Sequence, residues 1–311
     1  MKLFANLHLH STHSDGVYTP TELARVAYDE GYRAAALTDH DTVSGNAEFQ
    51  SACRELGMDS IFGIEFNAYT DMFYRADGRK GAFHITAYDF DPEYPPIKEY
   101  LWQMSMRETD QTKTLFHRGV DIGYIKGITW EEVCEYNAGI TWLCNDHVFR
   151  AMKAKGLTDD SKYLEFSQTC YGKHRSSVPR LYDYKDADEI IRLVHEAGGI
   201  TCLAHCVEQL QNTEICNQIG YEGCIKRLID IGIDGVEVWH RLLNDEQRQE
   251  IHEIALKYNL FVSGGSDHSG ICGGQYAFFE NPKECSFYME PLSAGTTKEY
   301  FEEIKNKKIS R

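Results

Sequence analysis

Seven short apolar runs, near 3–10, 34–38, 61–66, 83–88, 200–204, 235–239 and 260–264, alternate with stretches of helical periodicity. This alternation limits the fold more than any other feature of the chain. Regular β/α alternation predicts a mainly parallel sheet covered by helices, with functional groups at the C-terminal strand ends. At 311 residues there is room for one large α/β barrel or for two ordinary domains. Helix boundaries are marked in the sequence. Thr19-Pro20-Thr21-Glu22 and Thr129-Trp130-Glu131-Glu132 carry capping-box pairs, and Gly31, Gly57, Gly198 and Gly232 stand where helices should stop.

The polar residues follow the strand ends. In the first run Leu3, Ala5, Leu7 and Leu9 alternate with Asn6, His8 and His10, so the two histidines share one face, roughly 6–7 Å apart along the strand and within reach of one metal ion. Ser14-Asp15-Gly16 follows at once. His40 (in Thr38-Asp39-His40-Asp41) comes after the second run, Glu65 ends the third, His205 follows the fifth, and Asp267-His268 follows the seventh. His84 departs from the rule, because it stands at the start of its run. A lone histidine pair on a strand is as easily structural as functional; this pair is accompanied by carboxylates and further histidines at successive strand ends.

Composition narrows the class. A content of 42% hydrophobic and 12% aromatic residues is that of a folded protein, and no apolar run approaches the ~20 residues needed to span a bilayer. Without an apolar segment near the first residues, a cytoplasmic location with no membrane partner is expected. Ten cysteines scattered from Cys53 to Cys285 form no compact framework and are expected to be free thiols, with Cys202 and Cys206 as small buried residues. Residues 99–180 break the rhythm between the fourth and fifth strands. They are expected to form a mostly helical inserted subdomain, with 1–98 and 181–311 forming the barrel. The insertion has 11 basic and 11 acidic residues against 21 and 37 elsewhere, so the whole net charge of −16 lies outside it and the insertion is the better place for an anionic substrate. A chain this acidic, without a basic stripe, is not expected to hold long nucleic acid.

The ordered set His8-x-His10, Ser14-Asp15-Gly16, Thr38-Asp39-His40-Asp41, Gly63-Ile64-Glu65, His84, Ala197-Gly198-Gly199 with Leu203-Ala204-His205, and Gly265-Ser266-Asp267-His268 resembles the PHP (polymerase and histidinol phosphatase) superfamily. The insertion is similar to that of stand-alone members acting on nucleoside monophosphates and 3′,5′-bisphosphates. The resemblance implies a distorted, TIM-like (β/α)7 barrel holding two or three divalent ions, Mn, Fe or Zn. It places one ion on His8, His10, Glu65 and Asp267, a second on Glu65 with His84 and His205, and a third on Asp15, His40 and His268. The donor set, imidazoles and carboxylates without a thiolate, agrees with such ions, and so much buried charge needs cations to offset it. Two departures stand out: Asp267 and His268 are adjacent where relatives commonly separate them by one residue, and Cys144-Asn145-Asp146-His147 stands where related phosphatases often read Gly-Arg-Pro-His.

Arg107, Asn145 and His147 are therefore expected to meet substrate phosphate, against the plainer reading of a solvated arginine and a helix-capping histidine. Trp239 and His240 are expected to stack on and bond a nucleobase, although an aromatic at a barrel rim is more often packing. Asp15, His40, Glu65 and His205 form the expected catalytic group, Asp39 and Asp41 orient a ligand or cap a helix, and Gly264-Gly265 and Gly273-Gly274 are loop glycines without a phosphate-cradling motif. The expected activity is metal-assisted hydrolysis of phosphomonoesters of small metabolites, most of all nucleotides such as AMP or 3′,5′-bisphosphates. Alternatives are a histidinol-phosphate phosphatase, a 5′-3′ exonuclease of short oligonucleotides, an amidohydrolase, which would normally use a strand-end lysine absent here, or a non-catalytic metal-binding module.

Overall fold

The computed structural model describes residues 3–74, 80–211, 213–268 and 294–310. Seven strands, β1 (Ala5–Asn6), β2 (Ala34–Leu37), β3 (Asp59–Tyr74), β4 (Lys80–Tyr88), β5 (Ile200–Leu203), β6 (Gly235–His240) and β7 (Phe261–Gly265), lie in sequential order in one sheet. Leu7 N donates to Gly264 O at 3.0 Å and His10 N to His268 O at 3.0 Å, which brings the last strand back to the first and nearly closes the barrel. β2 is short and made mostly of small residues. Ala34, Ala35, Ala36 and Leu37 are fully buried, as expected of a strand covered on both faces.

The expectation of a parallel sheet holds for every pair except those of β4, which runs antiparallel to both β3 and β5. Only residues 75–79 separate β3 from β4, and a link that short joins antiparallel strands while a parallel pair needs a crossover. It also removes the anomaly of His84. The start of an antiparallel strand lies at the same barrel end as the finish of its neighbours, and His84 pairs in register with Asn67, two residues beyond Glu65.

Helices α1 (Pro20–Asp29) and α2 (Asn46–Glu55) cover the first strands. Between β4 and β5 come α3 (Pro95–Asp121), α4 (Trp130–Tyr136), α5 (Asn145–Ala154), the short α6 (Tyr163–Phe166) and α7 (Ala187–Glu196); α8 (Cys206–Leu210), α9 (Glu214–Asp230), α10 (Asp245–Lys257) and α11 (Lys298–Lys305) complete the outer layer. The first half of α3 packs Ile97, Tyr100, Leu101 and Met104 into the main core with Phe66, Ile85 and Ile190. Its second half contributes Leu115 and Phe116 to a separate cluster with Trp130, Phe149 and Phe166. One helix thus joins two cores and fixes the inserted segment over the strand ends.

The cysteines among the described residues are free thiols, with Cys202 and Cys206 fully buried; Cys272, Cys285 and Gly273-Gly274 lie outside the described residues. Among the described residues no helix is long and apolar enough to cross a membrane.

Candidate metal centre

Glu65 is the hub. Its carboxylate, fully buried at the end of the β3 segment that crosses the barrel mouth, lies 3.2 Å from His8, 3.3 Å from His10, 3.1 Å from His40, 3.1 Å from His84 and 3.0 Å from His205. His8 and His10 reach it from β1, where the i, i+2 spacing puts both rings on the inner face as expected. Asp267 completes that side, with Oδ1 at 3.0 Å from His10 Nε2 and 3.6 Å from His8 Nε2. Asp15 stands 3.6 Å from His10 Nδ1 and 3.8 Å from His40 Nε2.

Three groups of donor atoms emerge: His8, His10, Glu65 and Asp267; His10, Asp15 and His40; and His40, Glu65 and His84, each with its atoms within 4.8 Å of one another. The donors point at shared space and bond poorly to each other. Among the described residues, His8 Nε2, both ring nitrogens of His10, His40 Nδ1 and Glu65 Oε2 are buried without a hydrogen-bond partner. Unpartnered buried polar atoms are rare because each costs about 1–3 kcal/mol, so a convergent set of them fits divalent cations. The hard and borderline donors, imidazole and carboxylate, suit Mn, Fe or Zn.

Backbone constraints hold these groups. His205 has φ 23° and ψ 54°, and its N–H donates to Glu237 Oε2 at 2.6 Å, so the strained residue is pinned by a buried carboxylate. Gly265 passes so close to the His8 backbone that a Cβ there would collide with it. Asp39 accepts from Ser11 N at 2.7 Å and from Ser14 Oγ at 2.6 Å, anchoring the loop that presents Asp15. Asp41 accepts from Asn67 N at 3.0 Å and Nδ2 at 2.7 Å and thereby fixes the β3 segment beyond Glu65, while burial pushes its carboxyl up to about 6.

Charge follows the same arrangement. Burial alone would raise the Glu65 carboxyl, but the surrounding imidazoles, His8 foremost, hold it well below the usual range. Burial would lower His8 and His10, yet Glu65, Glu237 and Asp267 around the first and Asp267, Glu65 and Asp15 around the second leave both well above the ordinary histidine value. His205, opposed by burial and favoured by its bond to Glu65, is pushed up to about 9.

Glu237 was not among the expected site residues. Its Oε1 and Oε2 each lie 3.3 Å from His8 Nδ1, the position from which a carboxylate orients a ligating imidazole. The signal was present as the one acid inside the apolar run Gly235-Val236-Glu237-Val238.

Several expected residues take other places. His268 is buried against Tyr18, with ring centroids 6.0 Å apart, and is absent from the three donor groups; directly adjacent residues project apart, and Asp267, with φ 52°, takes the inward position. His147 caps α5: Nδ1 accepts from Cys144 N at 2.9 Å and Nε2 donates to Thr12 O at 3.0 Å, so both nitrogens are spent on backbone. Arg107 is buried, its guanidinium 3.6 Å over the Tyr184 ring and Nε donating to Tyr182 O at 3.0 Å, and it does not itself border the cavity beside the cluster. Trp239 packs outward against His252 and Tyr300, at 5.0 and 5.4 Å between centroids. His240 is fully buried behind Asp267, with Nε2 4.0 Å from Asp267 Oδ2, and burial drops it to about 4. The register shift between Glu237 and Trp239 reverses the strand's alternation there and turns His240 to the inner side. Neither Trp239 nor His240 borders the cavity.

That cavity, of about 370 Å³, opens directly on the cluster through Asp15, His40 and His84. Trp142, Tyr69 and Tyr184 supply aromatic walls, Lys80 and Arg175 supply cations, and Asn145 lies beside Asp146 at the start of α5.

A seven-stranded barrel with imidazoles and carboxylates gathered at one open end defines the class: an α/β barrel with a candidate metal centre at its mouth. The chain belongs to the PHP domain family, which it matches over residues 6–264. It is 31% identical over 277 residues to a 5′-3′ exoribonuclease of Haemophilus influenzae, covering 86% of this chain and 90% of that protein. It is 29% identical over 273 residues to a phosphoribosyl 1,2-cyclic phosphate 1,2-diphosphodiesterase of Eggerthella lenta, covering 87% and 96%. A crystal structure from Bifidobacterium adolescentis, described as a metal-dependent phosphoesterase, superposes with a TM-score of 0.74 at 25% identity over 100% of this chain and 98% of that one. The protein is a metal-dependent PHP phosphoesterase.

Proposed function

We propose that the protein hydrolyses phosphate esters of nucleotides, removing or releasing the phosphate-bearing end of a small substrate. The observation that carries this reading is the junction of cluster and cavity: Asp15, His40 and His84 are at once donors of the cluster and wall of a space of about 370 Å³, within the range of small-molecule sites. His8, His10, Glu65 and Asp267 would hold one ion, Glu65 with His84 and His205 a second, and Asp15 with His40 a third. Such ions supply Lewis acidity and an acidified water at neutral pH. Glu237 keeps His8 in one orientation, and Glu65 holds the imidazoles around a common centre. Lys80 and Arg175 also border this space, each paired with a carboxylate, and Trp142, Tyr69 and Tyr184 offer the flat faces a nucleobase needs, the part expected of Trp239.

Names of the relatives support nucleotide-like substrates but do not choose between monoester and diester. Similarity to an exoribonuclease also removes the ground for excluding nucleic acid altogether. The test is product analysis on manganese-loaded protein. Phosphate released from AMP or adenosine 3′,5′-bisphosphate identifies a monoesterase, and AMP released from a 5′-phosphorylated dinucleotide identifies a diesterase. Turnover of amides with all phosphate esters inert would overturn the reading.

A further inference from the structure

The cavity beside the cluster continues outward. A second one, of about 570 Å³, is bordered by Ser176, Ser177, Val178, Pro179 and Asp183 and shares Tyr69, Lys80 and Arg180 with the first. The shared residues approach from two sides, Tyr69 and Lys80 from the extended β3–β4 pair and Arg180 from the segment leading to α7. A substrate that extends from the cluster into the second cavity passes these three residues.

The cations along this route are not equivalent. Lys80 Nζ is held by Asp186 at 2.7 and 2.8 Å, and Arg175 is paired with Glu108. Arg180 is exposed at the junction and, among the described residues, is committed to no carboxylate. The inner end of the first cavity has the opposite character. The carboxylates of Asp15 and Asp146 border it there, and Asn145 beside them brings no charge. The exposed Arg180 makes the junction the better place for an additional anion.

We propose that Arg180 is a specificity residue that receives a second phosphate of the substrate, where the substrate leaves the first cavity for the second. A planar guanidinium can meet two phosphate oxygens at once, whether that phosphate is a terminal 3′-phosphate or the next phosphodiester. This inference rests on the nucleotide reading above and adds the direction in which the substrate extends.

Two measurements separate the two claims. Calorimetric binding and steady-state turnover of manganese-loaded wild type, Arg180→Ala and Arg180→Lys are compared on AMP, adenosine 3′,5′-bisphosphate and 5′-phosphorylated ApA. The preference for either doubly phosphorylated ligand over AMP should fall roughly tenfold in Arg180→Ala, the scale of one charge-assisted hydrogen bond, and be partly restored by lysine. A loss with the bisphosphate identifies the terminal phosphate as the partner, and a loss with ApA the phosphodiester. An unchanged preference on both overturns the assignment. If wild type turns over none of the three, the nucleotide reading fails, while the binding preference still decides the role of Arg180.

Discussion

His205 and Glu65 together show how single residues set the chemistry of this site. His205 occupies a left-handed backbone conformation, its N–H bound to Glu237 and its Nε2 3.0 Å from Glu65, and is pushed up to about 9. A histidine raised in the fold contributes stability that is complete below its unfolded value, about 6.5, and is lost as pH rises through the folded value. The melting temperature of metal-free protein should therefore fall between pH 6.5 and about 9. Cations compete for the same nitrogens, so metal affinity should rise over that window and the melting curve of loaded protein should lose this slope. Glu65→Gln removes the shared carboxylate and should flatten the metal-free slope as well as strip more metal than substitution of a terminal ligand. Differential scanning calorimetry with elemental analysis checks both; a metal-free protein that gains stability across the window would contradict the assigned charges. At this scale the sequence was largely legible. Every candidate ligand except His268 falls into or against the Glu65 cluster, because strand-end positions and residue type are local information. Glu237 carries no such strand-end mark, and its value depends on facing His8 across β7 once the barrel closes.

At the scale of elements, α5 and β6 account for the corrections. His147 stands three residues after the cap of α5, accepts the Cys144 N–H and donates to Thr12 O, tying the insertion to the loop behind β1. Both bonds require a neutral ring, and burial with nearby Arg150 holds His147 well below the ordinary histidine value. His147→Ala leaves a buried donor and acceptor unpartnered and should cost about 2–4 kcal/mol. Urea denaturation measures it; full stability with lost phosphate affinity would instead return His147 to the substrate. In β6 the shift at Val238 sends Trp239 out to α10 and α11 and His240 in behind Asp267. A bulge of one residue leaves no mark in hydrophobic periodicity this short, so the nucleobase role assigned to both residues could not survive the fold. Antiparallel β4 is the same lesson with the opposite sign: His84 looked misplaced in the sequence and is correctly placed once strand direction is known.

Across the whole molecule, charge and cavity shape set what can be bound. The net charge of −16 leaves little to neutralise successive phosphates, and among the described residues the two adjoining cavities are bordered by three cations, Lys80, Arg175 and Arg180. Mononucleotides or short 5′-phosphorylated oligonucleotides should be hydrolysed at least about tenfold more efficiently than a 20-nucleotide single strand, or about 1.4 kcal/mol in the barrier. Steady-state kinetics across a length series tests this, and rates that climb with length would identify a processive nuclease. By itself the sequence determined the alternating barrel and most of the candidate donors that converge on Glu65, because strand period, caps and residue chemistry are written within a few neighbours. Only the tertiary structure decided that β4 reverses, that Glu237 braces His8, that Arg107 and His147 serve packing and capping, and that Lys80, Tyr69 and Arg180 meet at one junction. Those contacts join residues tens to hundreds of positions apart, and their geometry exists only when the barrel closes and the insertion docks over its mouth.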